Sequence, residues 1–218
     1  TAQYYSLAVA PVGMFDNYKT IINGYDPDQG SWDQSANDGQ GADRYKLQTV
    51  IDGHSDVFAG GMQDQGTSIQ ADNNNGFSIG NDFGSGDGAA TMFSQNNENK
   101  YVVYNYVYNN RIRVLNMNNP NNNDYSYRYT ISDNEDDEGD FINKAALDSN
   151  LGIIYANAGN GNIRAYYNWD NFGNQNSIKD NYVIGGLSSS ATAITVSPFQ
   201  TQTSTLFVGT ENGQLWKI

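Results

Sequence analysis

Two aspartates in glycine-bearing turns are the residues whose type and setting come closest to acid–base chemistry. They are Asp64, in Gln63-Asp64-Gln65-Gly66-Thr67, and Asp87, in Gly84-Ser85-Gly86-Asp87-Gly88. Glycoside hydrolysis needs two carboxylates, one giving a proton and one acting as base or nucleophile, at separations of roughly 5–9.5 Å. The same residues have a second reading. An Asp beside a Gly in a tight turn accepts backbone N–H groups and tolerates positive φ, and the sequence favours that turn reading. Asp64 also has a binding alternative, in which it faces a polar ligand such as a glycan.

Oxygen ligands for a hard cation are more plentiful. In Asp26-Pro27-Asp28-Gln29-Gly30-Ser31-Trp32-Asp33 the carboxylates of Asp26, Asp28 and Asp33 are spaced around a Gly, as in a loop that wraps calcium with six to eight oxygens. A terminal bidentate Glu is missing from it. The run Asp133-Asn134-Glu135-Asp136-Asp137-Glu138-Gly139-Asp140 offers a second calcium candidate through Asp136, Asp137 and Asp140. Unspaced charge of that kind also describes a solvated loop. His54 is the single histidine and there is no Cys, so thiolate, zinc and Ser-His-Asp chemistry have almost no ligands to draw on.

The elements that must position these groups read as strands. Tyr, with 16 copies, favours pleated surfaces, while 23 Gly and many Asn supply the turns between them. Gly159-Asn160-Gly161-Asn162 reads as a hairpin turn rather than a phosphate loop, since no helix follows it. A short phrase recurs as Val57-Phe58-Ala59-Gly60, Val103-Tyr104-Asn105-Tyr106, Ile154-Tyr155-Ala156-Asn157 and Leu206-Phe207-Val208-Gly209. A repeat of roughly 50 residues indicates stacked or radially arranged sheets. The sequence therefore predicts an all-β chain of about four β-propeller blades with four strands each, an arc of a larger ring completed by further sequence or another chain.

In that scheme Phe58, Tyr104, Tyr155 and Phe207 occupy equivalent buried positions. The second unit runs from about Phe77 to Asn116, the third from about Tyr125 to Trp169 and the fourth from about Tyr182, with the Asn-rich stretches 118–124 and 171–176 between them. Residues 12–56 form a long insertion in the first blade, with strand candidates at Lys19–Ile22 and Tyr45–Ile51. The Tyr ladder of Tyr101, Tyr104, Tyr106 and Tyr108, with Tyr166, Tyr167 and Trp169, is expected to be half core and half exposed platform.

Charge bounds the partners. With 24 acidic and 11 basic residues, a net −13, the chain has no basic stripe for phosphate, which argues against nucleic acid and anionic membrane surfaces. No apolar stretch approaches the roughly 20 residues of a membrane helix. The absence of Cys tilts the reading towards a bacterial extracellular protein, and the chain is expected to be a mature or partial one.

Tyr4-Tyr5-Ser6-Leu7-Ala8-Val9-Ala10-Pro11 followed by Ala59-Gly60-Gly61-Met62-Gln63-Asp64-Gln65-Gly66-Thr67 resembles the repeat phrase of sortilin-type and Asp-box-related propellers. The likeness extends through Gly84–Gly88, through Phe141-Ile142-Asn143 with Leu147-Asp148 and Ile154-Tyr155, and through Val208-Gly209-Thr210-Glu211-Asn212-Gly213-Gln214-Leu215-Trp216. Asn143 stands where the family usually has Pro. Asp28-Gln29-Gly30-Ser31-Trp32 places Trp one residue too early for a strict Asp box. The resemblance implies a large secreted or surface-attached bacterial protein, of the kind exported by type IX secretion. Such a protein would serve adhesion, glycan or protein binding, or structural display, with no catalytic residues. The alternative it implies is a glycoside hydrolase of the xyloglucanase or sialidase type using Asp64 and Asp87.

Overall fold

In the computed structural model the described residues are 3–11, 14, 20–24, 47–51, 57–64, 66–71, 81–82, 87–95, 101–108, 112–116, 128–131, 138–169, 180–199 and 201–218. Among them there are strands and turns and no helix, and so no helix long and apolar enough to cross a membrane.

Every pairing between named strands is antiparallel, and the sheets follow one another along the chain. Sheet I has the order β1 (Ala8–Val9), β4 (Val57–Met62), β5 (Gly66–Ala71), β6 (Asn81–Asp82). Sheet II runs β7 (Thr91–Phe93), β8 (Tyr101–Tyr104), β9 (Arg113–Asn116), β10 (Arg128–Thr130). Sheet III runs β11 (Ala145–Asp148), β12 (Ile153–Gly159), β13 (Asn162–Tyr167), β14 (Asp180–Ile184). Sheet IV comprises β15 (Ala191–Val196), β16 (Leu206–Thr210) and β17 (Leu215–Lys217). Within residues 12–56, β2 (Thr20–Gly24) pairs with β3 (Leu47–Ile51), and this hairpin lies beside β5 and β6.

Each sheet is wound in sequence order from its first strand outward. The first strands neighbour one another in succession, β1 beside β7, β7 beside β11 and β11 beside β15. Tight turns make the winding compact. Between β12 and β13, Asn160 and Gly161 both take positive φ, 51° and 75°, which is the type I′ hairpin geometry that Asn-Gly favours.

Three apolar layers fill the spaces between consecutive sheets. Val57, Ala59 and Ile69 of sheet I meet Phe93, Val102 and Tyr104 of sheet II, with Met14. Tyr101, Val103 and Val114 of sheet II meet Ile154, Ala156 and Tyr166 of sheet III, with Trp169. Tyr155, Ile163 and Ala165 of sheet III meet Ala191, Leu206 and Val208 of sheet IV. An inner sheet is thus buried on both faces, and its strands read as continuous apolar runs because alternate side chains serve different layers. Burying large rings and β-branched residues in this way removes enough apolar surface, at about 25 cal/mol per Å², to sustain a fold in a chain only 38% hydrophobic.

Three expectations need correction. The phrase that marks the repeat does lie on the second strand of each sheet, but its aromatics are not equivalent. Tyr104 packs back towards sheet I and Tyr155 forward towards sheet IV. By strand alternation Phe58 shares the direction of Tyr104, and Phe207, 37% exposed, that of Tyr155. A slip of one residue moves a side chain to the opposite face, and the phrase is slipped by one between the first two units and the last two.

The unit boundaries are displaced by one strand. Arg128–Thr130 closes sheet II and Asp180–Ile184 closes sheet III, each pairing with the strand before it. The Asn-rich stretches 118–124 and 171–176 therefore connect third to fourth strands inside a sheet. Sheet IV has three strands where four were expected. The Tyr ladder, finally, is mostly core. Tyr101, Tyr104, Tyr166 and Trp169 are buried, with Tyr101 edge-on to Trp169 at 5.1 Å, because sheets II and III are covered on both sides.

Candidate functional site

Where the first strands of sheets I, II and III converge, the segments leading into them enclose a cleft of about 110 Å³. Its lining comes from Tyr5 and Ser6, from Ala89 to Thr91, and from Ile142 to Ala145. Glycine makes the approach of these segments possible. A Cβ on Gly61 would lie 2.5 Å from the carbonyl oxygens of Gly88 and Ala89, well inside contact distance. Ser6 completes the seam: its Oγ donates to the Ala89 carbonyl at 2.5 Å and accepts from the Gly61 N–H at 3.2 Å. On the other flank, Asn105 Oδ1 accepts from the Ala90 N–H at 2.6 Å.

The two nominated carboxylates lie beside this cleft, on the side of Tyr5, and the fold brings them together. Asp64 occupies the β4–β5 turn at φ 58°, and its backbone N–H donates to Asp87 Oδ1 at 2.8 Å. Asp87 pairs with Gly66 through an isolated parallel bridge. The Asp87 carboxylate thus clasps the turn that Asp64 shapes, while the Asp64 residue is exposed. Desolvation, and after it the charges of Asp87 and Asp64, push the Tyr5 phenol above its ordinary range. Tyr5 therefore stays a neutral hydroxyl at physiological pH, able to donate or accept a hydrogen bond.

Asn143 is a lining residue that the sequence marked only as a departure from a Pro. Its buried amide bridges two segments, with Nδ2 donating to the Asn157 carbonyl at 2.8 Å and Oδ1 accepting from the Asp140 N–H at 3.1 Å. Asn157, fully buried, donates through Nδ2 to Asp140 Oδ2 at 3.0 Å, and its Oδ1 accepts from Gly159 N–H at 3.0 Å and Ala191 N–H at 3.4 Å. These amides satisfy backbone groups that burial would otherwise strand, and they anchor the floor of the cleft. Pro could not have done so. Beside Asn143, Lys144 supplies an ammonium, and Thr91 an Oγ1 that is buried without a hydrogen-bond partner among the described residues.

The calcium candidates divide. Asp26, Asp28, Asp33, Asp136 and Asp137 lie outside the described residues, as does His54. Asp140 is described, and its carboxylate is engaged by Asn157. Its neighbour Glu138 forms a two-point ion pair with Arg164, Nε to Oε2 at 2.6 Å and Nη2 to Oε1. Among the described residues no group of three or more His, Cys, Asp or Glu is arranged to hold a metal ion.

Chemically, the cleft presents hydroxyls, an amide and one ammonium, and its lining contains no carboxylate. Such a surface can hold a small polar group and offers nothing that would exchange protons with it near neutrality. No protein-family model matches the chain, and no curated protein matches it.

Proposed function

We propose that this chain is a non-catalytic β-propeller arc of the sortilin or Asp-box-like kind, acting outside the cell or at its surface to bind a glycan or a protein. Winding outward from neighbouring first strands supports the propeller arc, since blades radiating from an axis require that order. The observation that carries the binding role is the division between cleft and carboxylates. The cleft lining is polar and carboxylate-free, and Asp87 is committed to the Asp64 turn through its own oxygen. A hydrolase needs two carboxylates in different protonation states across one substrate.

The test is a pair of measurements on purified chain. A glycan and protein array should show retention that Lys144→Ala weakens, and incubation with β-glucans or sialosides should show no hydrolysis. Turnover that disappears in folded Asp87→Asn would overturn the binding role and establish the hydrolase instead.

A further inference from the structure

The three inner layers obey one rule: the forward face of each sheet covers the back face of the next. Sheet I has no described sheet behind it, and sheet IV none ahead of it. Both open faces are apolar. On sheet I, Leu7 is 64% and Val9 61% exposed, and Phe58 sits opposite Val9 in the ladder. On sheet III the same face of the first strand carries Leu147, and on sheet IV it carries Ile194 and Val196; all three pack against the preceding sheet.

On sheet IV the open forward face holds Phe207 and Leu215, the latter 78% exposed. Its counterpart on sheet III, Tyr155, is 2% exposed beneath sheet IV. Positions that are core in the middle of the stack are bare at its two ends. The ends also have opposite sense, one a back face and one a forward face.

We infer that the forward face of sheet IV in one copy of this chain covers the back face of sheet I in a second copy, and that the reciprocal contact closes a head-to-tail dimer of eight sheets. The occupant follows from the stacking rule. The only back face left open belongs to sheet I, and the internal layers already pair faces of these two senses three times. Two forward faces placed together would break the rule, as would two back faces. A heterologous contact of this type makes a ring if its rotation closes and a filament if it does not. Eight sheets fall within the usual range of about four to eight blades for closed propellers. The inference rests on the stacking order and does not depend on the binding role proposed above.

Sedimentation equilibrium of the 218-residue chain should return twice the monomer mass. Leu7→Asp and Leu215→Asp, each at an exposed position and checked for unchanged melting at a dilution where all chains are monomeric, should each weaken association by roughly tenfold or more in Kd, the equivalent of about 1.4 kcal/mol. Mixing the two variants should restore a mixed dimer, because one intact forward face then meets one intact back face. A chain that stays monomeric at all concentrations overturns the inference. So does a dimer broken by only one of the two substitutions, or one that mixing fails to restore, since either would mean like faces pairing. Species that grow with concentration past the dimer would also overturn it, because they indicate an open filament.

Discussion

At the scale of single residues, polar side chains here do backbone work. Asp87 accepts from the Asp64 N–H, and Asn157 and Asn143 occupy donors and acceptors that no strand reaches. Asp87→Asn keeps an acceptor oxygen and should leave melting nearly unchanged, whereas Asp87→Ala should lose about 1 kcal/mol in a denaturant titration. Equal losses for the two variants would mean that the charge, not the hydrogen bond, holds the turn. Gly61→Ala should cost about 2–3 kcal/mol, because its methyl meets two backbone carbonyls that cannot swing aside. Tyr155 responds to pH. Burial first, and then its neighbours Tyr182 and Asp148, outweigh a hydrogen bond from Ser204 and push the phenol up to about 12. A folded-state pKa raised above the unfolded value means stability that is intact below about pH 10 and is lost as pH rises from there through 12. Tyr155→Phe should flatten that alkaline limb, and a limb of unchanged slope would assign it to other groups.

At the scale of strands and sheets, neighbouring residues on β16 report on opposite faces. Leu206 is buried in the layer against sheet III, and Phe207 points to the open end. Leu206→Ala should therefore cost about 3 kcal/mol, as large-to-small core changes do, and Phe207→Ala about 1 kcal/mol or less at monomer dilution. Comparable losses would show that the open face is covered. Strand existence, the hairpin turn at Asn160-Gly161 and the placement of each repeat phrase on a second strand were legible, because alternation and turn chemistry are local signals. Phase was not. A buried strand such as Tyr101–Tyr104 is apolar on both faces, so the phrase carries no parity mark, and Tyr104 was matched to Tyr155 where Val103 shares its ladder setting. The outer strands Arg128–Thr130 and Asp180–Ile184 misled for another reason. They follow long Asn-rich stretches that look like boundaries between units. The cleft was legible in part: the carboxylate pair could be named from its turns, but the role of Asn143 depends on a partner 14 residues away.

At the scale of the whole molecule, a net charge of −13 sits on a stack of sheets with two apolar ends. Self-repulsion among surface carboxylates opposes compaction and opposes the approach of a second copy alike. Raising ionic strength from about 0.01 to 0.15 M shortens the Debye length from about 30 to about 8 Å, so melting temperature and dimer affinity should both rise with salt. A fall in either would place the dominant charge interactions within attractive pairs such as Arg164–Glu138. The same surplus of negative charge should keep the chain off heparin-like and nucleic-acid resins at every salt concentration.

The pairing of β1 with β4 also bears on the order in which the molecule assembles. Sheets II, III and IV are each made from one uninterrupted stretch of chain, but β1 reaches β4 only after residues 10–56 have been spanned. Closing a loop costs entropy that grows as about (3/2)RT ln n, so sheets built from nearby residues can form before sheet I gains its innermost strand. The amino-terminal strand is then the last to dock and the first to leave. Amide exchange at Ala10, bonded to the Val57 carbonyl at 2.8 Å, should outpace exchange at Asn157, bonded to the Lys144 carbonyl at 2.9 Å. Because β1 also carries Leu7 and Val9 to one open end, partial unravelling of that strand would remove half of the head-to-tail contact while leaving three sheets standing.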